Sequence, residues 1–270
     1  MMQSGKDLIR SRRSVRTFDG RPLADADREK LERFLYAPTN PFGVPIAFRI
    51  LDAKENGLSS PVIVGADTYL AAKVARVDHH EIAYGYSFER TCLSALSLGL
   101  GTVMLAASLS RSAFEKAMDV QPDEVMPVAS PIGYPAEKHS IRETLMRKGL
   151  KADERLPFET LFFEGSFEKR HARGEGQFDE ALEMARWAPS AGNQQPWRAV
   201  IDGNTVHFFE KRSMKVSALG DIQKLDVGIA LCHFDLTMRE AGKPGSFVFR
   251  DPQIPCPDNT SYVVSYEAAP

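Results

Sequence analysis

The chain has 270 residues, of which 43% are hydrophobic, and a formal net charge of −2 at pH 7. This length and apolar content suffice for a large core in one or two domains, and without a basic excess nucleic acid is not an expected partner. No apolar run approaches the roughly 20 residues that span a bilayer, and residues 1–16 lack the apolar stretch of a signal peptide. We therefore expect a soluble, cytoplasmic protein with no membrane partner.

The three cysteines, Cys92, Cys232 and Cys256, are far apart and form no Cys-x-x-Cys pair. This spacing argues against a disulfide framework and against a zinc site, so we expect reduced, buried thiols. The adjacent His79 and His80 would point about 100° apart on a helix, which does not suit a chelating pair. The sequence therefore predicts no metal site.

A dense basic segment lies near the N-terminus, where Arg12, Arg13, Ser14 and Arg16 fall within five residues. Guanidinium groups and a hydroxyl at this spacing suit a phosphate, which accepts charge-assisted hydrogen bonds. The alternative is a basic terminus that faces water, as most charge runs do. The segment alone leaves both interpretations open.

Helical and strand patterns alternate through the first half of the chain. Amphipathic spacing and a following glycine predict helices over residues 25–37 and 88–98, the second ending at Gly99. Runs rich in β-branched and aromatic residues predict strands over residues 47–53, 61–66 and 125–132. The first half is therefore expected to combine helices with a sheet.

Two glycines, Gly99 and Gly101, precede the apolar run 103–107. They lack the strand, the helix and the third glycine of a dinucleotide fingerprint, so the sequence does not support a Rossmann site. A glycine lets the neighbouring backbone approach a ligand closely. The backbone of residues 103–107 is therefore a candidate to lie flat against a ligand and to donate hydrogen bonds from its N–H groups.

A polar loop between two prolines follows a helical run in the second half. The run has helical spacing at Phe178, Ala181, Leu182 and Ala185. Pro189 predicts that the helix stops before it. The hydrogen-bonding side chains of the loop are Ser190, Asn193, Gln194 and Gln195. With Trp197 as an apolar wall, such a loop suits a flat heterocycle with a polar edge; the alternative is an ordinary solvated connection.

The chain aligns with itself without a gap when it is shifted by 151 positions. The matched pairs include Glu29 with Glu180, Leu31 with Leu182, Glu32 with Glu183, Pro38 with Pro189, Pro45 with Pro196 and Ile50 with Ile201. This pattern predicts an internal duplication of domain size. The polar loop occurs only once, because residues 42–44 of the first copy are Phe, Gly and Val.

The second half also mixes helices and strands. Gly203-Asn204 between the strand patterns at 198–202 and 205–209 is a hairpin signal, and a helix over 226–240 precedes a closing strand over 262–266. The join between the copies is predicted in segment 164–177, which is charged and contains glycines. The predicted repeats are therefore residues 1–163 and a shorter second repeat, residues 164–270. The hairpin predicts an α+β fold with mixed or antiparallel sheets flanked by helices.

Four motifs together resemble the FMN-dependent nitroreductase family. They are Arg-Arg-Ser-Val-Arg at 12–16, Leu-Gly-Leu-Gly-Thr at 98–102, Ile-Gly-Tyr-Pro at 132–135 and Ala-Pro-Ser-Ala-Gly-Asn-Gln-Gln-Pro-Trp at 188–197. The resemblance spans nearly the whole chain. It implies a nitroreductase-like fold with FMN at a subunit interface. The chain is similar to a tandem-duplicated branch in which one polypeptide forms both halves of the family dimer, which implies one complete FMN site in a protein able to be a monomer.

The resemblance implies a role for each matched residue. Those it assigns to FMN are Arg12, Arg13, Ser14, Arg16, Met104, Leu105, Ala106, Arg155, Pro189, Ser190, Asn193 and Gln195. The first three would hold the phosphate and ribityl chain with Arg155, Arg16 would lie near the pyrimidine edge, and the Ala106 N–H would donate to the N5 edge. The residues from 189 onward would close the site from the second half.

One departure from the family pattern is visible beside Arg155. Related sequences tend to carry a second cation just before that arginine, where this chain has Asp153-Glu154. The departure bears on the assignment of Arg155 to the phosphate.

The function that the resemblance implies is an NAD(P)H:acceptor oxidoreductase. NAD(P)H would reduce bound FMN, leave, and be replaced in the same pocket by a small-molecule oxidant such as a quinone, a nitro compound or free flavin, which gives ping-pong kinetics. The cofactor carries this chemistry, so no catalytic side chain is required. The alternative is a non-catalytic flavin-binding or ligand-binding protein on the same fold, because duplication relaxes the constraint on a site.

Overall fold

The computed structural model describes residues 3–35, 40–137, 140, 143–144, 148–149, 151–174 and 176–269. The helices in these residues are α1 (Gly5–Ser11), α2 (Asp25–Leu35), α3 (Ala53–Asn56), α4 (His80–Ser97), α5 (Arg111–Met118), α6 (Phe158–Leu161), α7 (Asp179–Arg186) and α8 (Ile222–Glu240). The strands are β1 (Ala47–Asp52), β2 (Thr68–Ala75), β3 (Gly101–Thr102), β4 (Glu124–Val125), β5 (Ala129–Gly133), β6 (Phe162–Glu164), β7 (Ser166–Arg170), β8 (Trp197–Asp202), β9 (Thr205–Lys211), β10 (Gly245–Val248) and β11 (Thr260–Ala268).

The strands form two sheets, one in each half of the chain. The first has the order β1-β2-β5-β3, with β4 paired to β2, and all of these pairs are antiparallel. The second has the order β10-β11-β9-β8-β6-β7, in which β6 and β8 are parallel and the other pairs are antiparallel. The predicted α+β class with mixed and antiparallel sheets is therefore confirmed.

The two halves repeat the same order of elements. Strands β1-β2-β5-β3 of the first sheet correspond in order and direction to β8-β9-β11-β10 of the second. A long helix follows the second strand of each set, α4 after β2 and α8 after β9. This is the arrangement that an internal duplication predicts. The boundary between residues 163 and 164 stays a prediction; it falls within β6, which together with β7 extends the second sheet beside β8.

Helices α4 and α8 cross at two glycines in a reciprocal contact. A Cβ atom on Gly85 would lie 2.0 Å from the Leu225 carbonyl oxygen, and a Cβ on Gly228 would lie 2.2 Å from the Ile82 carbonyl oxygen. In each case the contacted residue stands three positions before the opposite glycine. Such a self-complementary contact is the geometry of a two-fold interface, here within one chain. The crossing requires glycine because any side chain would overlap the opposing backbone.

The two central helices are buried over most of their surface. On α8 the buried positions run almost without interruption from Leu225 to Phe234, and on α4 from Ile82 to Glu89. A helix that is apolar on nearly all sides belongs inside a core rather than on a surface. None of the helices in the described ranges is both long and apolar enough to cross a membrane.

Several predicted elements are found close to their predicted bounds. The hairpin at Gly203-Asn204 joins β8 to β9, with Asp202 opposite Thr205. The helix predicted over 226–240 is the main part of α8, and the strand predicted over 262–266 is the centre of β11. The helix predicted over 25–37 runs from Asp25 to Leu35; its predicted stop at Ala37-Pro38 lies outside the described residues.

The strand predicted over residues 61–66 is wrong. This segment forms a turn that begins at Pro61, and Val64 makes an isolated bridge with Thr17. Proline offers no N–H to a strand ladder, so the apolar composition did not produce a strand here. The strand of this region is β2, Thr68–Ala75, which pairs with both β1 and β5.

The single strand predicted over residues 125–132 is instead two short strands, β4 and β5. Between them, the Val128 carbonyl accepts a hydrogen bond from the Tyr84 hydroxyl at 2.7 Å, and the Met126 and Pro127 carbonyls accept from the Arg111 guanidinium. Because these carbonyls bind side chains and Pro127 has no N–H, the ladder is interrupted.

Two further expectations need correction. Helix α4 begins at His80 rather than at residue 88. Its first two turns contain tyrosines and a glycine, which have weak helix propensity, and the packing of Gly85 against α8 stabilises them. The expectation of buried thiols holds for Cys92 and Cys232 but not for Cys256, which is exposed in the irregular segment between β10 and β11.

Candidate functional site

Two adjoining cavities lie between the N-terminal segment and the loop that follows α7. The first has a volume of about 270 Å³ and the second about 150 Å³. Both are lined by Arg12, Ser14, Arg16, Pro189 and Ser190. The arginine-rich segment of the first half and the proline-flanked loop of the second half therefore meet at one place.

The arginine-rich segment is extended and fixed along strand β3. Helix α1 ends before Arg12, after which the Val15 N–H donates to the Thr102 carbonyl at 3.0 Å. Alternate side chains of an extended segment share a face, so Arg12, Ser14 and Arg16 lie on the same side. This local geometry explains why these three residues line both cavities.

The first cavity is cationic at one end, where Arg12, Arg13 and Arg155 line it. Burial, reinforced by the neighbouring Arg12, Arg13 and Arg186, lowers the pKa of Arg155 to about 10. Arg155 Nη2 donates to the Trp187 carbonyl at 3.2 Å, but its Nε is buried without a hydrogen-bond partner in the described part of the chain. An unused donor among crowded cations is a site for an anion.

A carboxylate, Asp153, also lines this cationic end. Its Oδ1 lies 3.7 Å from Arg13 Nε, and the two side chains are 65% and 46% exposed. An ion pair so exposed to water contributes about 0–1 kcal/mol. Asp153 therefore reduces the positive charge at the mouth of the cavity without cancelling it.

Two buried side chains position the Arg12 guanidinium from the interior side of the protein. Its Nε lies 3.4 Å from Glu89 Oε1, and His233 Nε2 lies 2.9 Å from the same oxygen. His233 Nδ1 in turn lies 3.1 Å from the Met184 carbonyl oxygen. Because Glu89 belongs to α4 and His233 to α8, the central helix pair positions this guanidinium. The alternative of a basic terminus that faces water is wrong for Arg12, whose side chain is 8% exposed.

The second cavity is a mostly apolar slot. Its apolar lining consists of Val103, Met104, Ala106, Val128, Ala191, Ile222, Leu225 and Ile229. Val103, Met104 and Ala106 line one side and α8 another, and the expectation that the backbone of residues 103–107 lies flat against a ligand stays a prediction. The Ala106 N–H has no acceptor among the residues described. The slot can therefore enclose a flat ring and offer it a backbone donor.

Arg111 fixes the backbone of this slot from behind. Its guanidinium donates hydrogen bonds to the carbonyls of Ala106, Met126 and Pro127. Burial lowers the pKa of Arg111. Three carbonyl contacts to one rigid cation keep the segment around Ala106 in place.

The proline-flanked loop is organised by contacts inside the protein. Asn193 Nδ2 donates to the Lys151 carbonyl at 2.8 Å, and Gln195 Oε1 accepts from the Leu156 N–H at 2.9 Å. The Gln195 N–H donates to Ser190 Oγ at 2.9 Å. These polar groups therefore hold the segment around Arg155, a role that the sequence did not reveal.

The apolar wall expected from Trp197 is provided by Trp187 instead. Trp197 opens β8 with its side chain turned into the core, where it is 1% exposed. Trp187 lines the first cavity, and the guanidinium carbons of Arg10 and Arg155 each lie 5.6 Å from its ring centroid. Trp187 follows the last residue of α7 and Trp197 is the first residue of β8, so the two indoles lie on opposite sides of the loop in the sequence.

Most of the predicted site residues lie together at the cavities. Those that line one or both are Arg12, Arg13, Ser14, Arg16, Met104, Ala106, Arg155, Pro189, Ser190 and Asn193. Leu105 and Gln195 line neither. Leu105 is 4% exposed and its N–H donates to the Ala129 carbonyl at 2.8 Å.

The contribution of α8 was not predicted from the sequence; this helix supplies Ile222, Leu225, Asp226 and Ile229 to the slot. One signal was present: Asp226 stands in an otherwise apolar helical run, where an acidic residue is rare unless it has a partner or a role.

The fold and the site agree with the class of the nitroreductases. The chain belongs to the family described as "Putative TM nitroreductase", which matches residues 6–238. None of the curated proteins matches the chain.

One solved structure shows the same fold, and two others are similar to half of the chain. A "putative nitroreductase" from Thermotoga maritima is similar over 100% of this chain and 96% of its own, with a TM-score of 0.67 and 21% identity. An "NADH dehydrogenase/NAD(P)H nitroreductase" from Bacteroides thetaiotaomicron covers 50% of this chain with 89% of its own, at a TM-score of 0.42 and 21% identity. An "FMN-dependent nitroreductase" from Clostridium difficile covers 52% with 94% of its own, at a TM-score of 0.42 and 16% identity.

Proposed function

We propose that the protein is an FMN-dependent oxidoreductase that transfers electrons from NAD(P)H to a small-molecule acceptor of the quinone, nitro or flavin type. The observation that carries this proposal is the pair of joined cavities, in which a cationic end continues into an apolar slot. A phosphorylated, flat heterocycle needs that combination, because one end is a dianion and the other an apolar ring with polar edges.

The cationic end would hold the phosphate. Arg12, Arg13 and Arg155 supply guanidinium donors, and Ser14 supplies a hydroxyl. Mutual repulsion among the arginines, which contributes to the lowered pKa of Arg155, would be relieved by a bound dianion. The buried Nε of Arg155 gives that dianion a further donor.

The slot would hold the ring. Bound FMN supplies the chemistry of two-electron transfer between NAD(P)H and an acceptor. Arg16 lines both cavities, so its charge stabilises negative charge on a ring that lies at their junction. The Ala106 N–H, on a segment that Arg111 fixes, donates to the edge of the ring, and Leu225 and Ile229 exclude water from one side.

Reductant and acceptor would use the same slot in turn. The sequence has no dinucleotide fingerprint that would give NAD(P)H a separate Rossmann site. Alternating occupancy gives ping-pong kinetics, in which the reductant leaves before the acceptor binds. Parallel lines in double-reciprocal plots at varied acceptor concentration are therefore expected, and intersecting lines would contradict the shared site.

The visible absorption spectrum tests the cofactor and the activity together. The purified protein is titrated with FMN, then given NADH without oxygen, and finally given menadione. We expect a perturbed flavin spectrum that bleaches with NADH and returns with menadione, faster than for free FMN under the same conditions. A protein that binds FMN but does not bleach with NADH or NADPH is the non-catalytic flavin-binding alternative. A protein that leaves the FMN spectrum unchanged has no flavin site.

The same proposal includes a monomer in solution, because the second half supplies the loop that a partner subunit would otherwise provide. Light scattering should then give a mass near 30.0 kDa. An obligate dimer whose interface covers residues 188–197 would contradict this assembly.

A further inference from the structure

A buried carboxyl group, Asp226, lines the apolar slot. It lies on α8 one turn after Ile222 and is 3% exposed. Its Oδ2 accepts a hydrogen bond from the Ala191 N–H at 2.9 Å. The described part of the chain offers its Oδ1 no hydrogen-bond partner. One oxygen therefore ties α8 to the proline-flanked loop, and the other is left for the slot.

The surroundings of Asp226 oppose a negative charge. Burial is the main cause that raises the pKa of Asp226 well above its usual range, and the hydrogen bond from Ala191 acts in the opposite direction. The charges of Asp221 and Glu210 raise the pKa further. The nearby Arg212 is already engaged, at 3.0 Å from Asp221 Oδ2 and 3.2 Å from Glu210 Oε2. Burial and the neighbouring carboxylates therefore favour the neutral acid over the carboxylate at Asp226.

Other charged groups lie on the elements packed around this position. They are Glu81 on α4, Lys224 on α8, and Arg12 and Arg16 across the slot. Glu81 Oε1 lies 3.5 Å from the Asp221 backbone nitrogen, so it adds negative charge near the start of α8. The two arginines are the cations that share the lining of the slot with Asp226.

The backbone determines which oxygen of the neutral acid carries the proton. The carbonyl oxygen of a carboxylic acid is a stronger acceptor than its hydroxyl oxygen, so Oδ2, which receives the Ala191 N–H, is assigned as the carbonyl oxygen. The proton is then on Oδ1. The oxygen without a protein partner is thus a hydrogen-bond donor in the wall of an apolar slot.

We propose that Asp226 binds the flat ligand of the slot as a neutral carboxylic acid, by donating a hydrogen bond from Oδ1 to an acceptor atom at the edge of an uncharged aromatic ring. The inference rests on the proposed function. The chemistry it recognises is a carbonyl oxygen or an unprotonated ring nitrogen, and two molecules could supply it: the flavin ring and a quinone acceptor. An ionised Asp226 would repel the lone pairs of either one.

The protonation state can be measured without any ligand. Infrared spectra of the wild-type protein and of Asp226→Asn are compared at about pH 7, well above the ordinary pKa of aspartic acid. We expect the wild type to show the carbonyl band of a protonated carboxyl group that is absent from Asp226→Asn. If the difference spectrum shows the bands of a carboxylate instead, the proposal is wrong.

Binding tests the donor. Asp226→Asn keeps both an acceptor for Ala191 and a donor toward the slot, whereas Asp226→Leu keeps the approximate shape and removes the donor together with the acceptor of the Ala191 N–H. We expect Asn to bind within about twofold of the wild type and Leu about threefold to tenfold more weakly, the loss typical of one hydrogen bond. In the wild type, affinity should fall as pH rises and Asp226 ionises, while Asp226→Asn should show no such fall. Unfolding curves verify that each variant is folded.

Two titrations identify the ligand. Quenching of flavin fluorescence reports FMN binding to the apoprotein, and perturbation of the bound flavin spectrum reports menadione binding to the FMN-loaded protein. If Asp226→Asn binds like the wild type and Asp226→Leu binds more weakly in the first titration, Oδ1 donates to the flavin ring. If this order of affinities is found only in the second titration, Oδ1 donates to the acceptor. If Asp226→Asn weakens both as much as Asp226→Leu does, the ionised form is the binding form and the proposal is overturned.

The outcomes separate this proposal from the proposed function. If the wild type does not bind FMN, the flavin site is wrong, and the infrared difference together with menadione binding to the ligand-free protein decides the role of Asp226. If FMN binds and neither titration distinguishes Leu from the wild type, the oxidoreductase proposal stands and the role of Asp226 is rejected.

Discussion

The cavity region and its counterpart in the other half of the molecule have matching elements but different contents. Asn193 of the cavity loop corresponds to Phe42 under the shift that aligns the two halves. The Phe42 ring centroid lies 5.8 Å from that of Tyr86 and 5.2 Å from that of Phe247. Tyr86 follows the crossing glycine of α4 just as Ile229, which lines the slot, follows that of α8. Aromatic rings therefore pack where the other half has a polar side chain and a smaller aliphatic one.

Aromatic packing continues from Phe42 to Phe249, whose ring centroids lie 6.1 Å apart. Phe249 stacks on His79 with a centroid distance of 3.5 Å and an interplanar angle of 6°. Under the same shift of 151 positions, Arg12 and Arg16 correspond to Phe163 and Phe167, whose ring centroids lie 5.1 Å apart. In the described residues, the first half thus lines the cavities with cations and the second half with a loop, whereas aromatic rings pack at the counterpart position.

The strongest test of the comparison is Arg155→Ala. The variant loses a crowded cation and a buried donor, and we expect FMN affinity to fall by about tenfold to hundredfold, which is the effect of a charge-assisted hydrogen bond. The measurement is fluorescence titration of FMN. Arg155→Lys keeps the charge and should recover part of the loss.

Lys169→Ala is the matched control for Arg155→Ala, because it removes one positive charge from the exposed strand β7, whose side chain at 169 is 66% exposed. Its FMN affinity should equal that of the wild type. A fall as large as that of Arg155→Ala would mean that total charge, not the cavity, governs affinity.

In the aromatic region that is the counterpart of the cavity, the informative substitution is Phe42→Ala. Phe42 contacts three rings but is half-buried, so we expect a loss of about 2 kcal/mol in the free energy of unfolding, less than the 3–5 kcal/mol of a fully buried phenylalanine. Urea unfolding measures the loss. FMN affinity should not change. A variant that gained a second equivalent of bound FMN would show that this region is a site blocked by one side chain.

Asp226→Asn sharpens the comparison through pH. The folded protein retains a proton on Asp226 that the unfolded chain releases, so wild-type stability falls as pH rises from the ordinary pKa of aspartate toward the raised one. The variant lacks this penalty. Its free energy of unfolding should gain on the wild type by at most about 1.4 kcal/mol for each pH unit in that window. A constant difference between pH values would show that Asp226 is ionised in the fold.

The sequence predicted those parts of the fold that local patterns specify. The Gly203-Asn204 turn and the helical spacing before Pro189 are read from a few neighbouring residues, and both elements are present. Residues 61–66 have the composition of a strand but no strand ladder, since Gly65 lies under the Phe18 backbone, where a Cβ would be 2.3 Å from the Phe18 carbonyl oxygen. Strand pairing depends on such distant contacts, which composition does not contain.

The site was predictable to the same extent. Arg12, Ser14 and Arg16 form a local motif on an extended segment, so their common orientation follows from their spacing. The slot, by contrast, exists only where α8 packs beside residues 103–106, and nothing near Asp226 in the sequence states which residues it will face. Leu105 was predicted to be a site residue together with its neighbours, but its side chain is buried and does not line the slot. The direction of each side chain along this segment was not known from the sequence.

The smallest predicted effect concerns Asp153, the departure from the family pattern beside Arg155. Its carboxylate lies 3.7 Å from Arg13 Nε and lines the cationic end of the cavity. It therefore repels a phosphate and competes with it for the Arg13 guanidinium. Asp153→Asn should therefore tighten FMN binding by about twofold to fivefold at low salt, and the gain should shrink at high salt because both side chains are largely exposed. Glu154, which pairs with Lys151 at 3.4 Å and does not line the cavity, provides the control Glu154→Gln. Equal gains from the two variants would assign the effect to overall charge, whereas weaker binding by Asp153→Asn would mean that the Arg13 pair positions the arginine for the ligand.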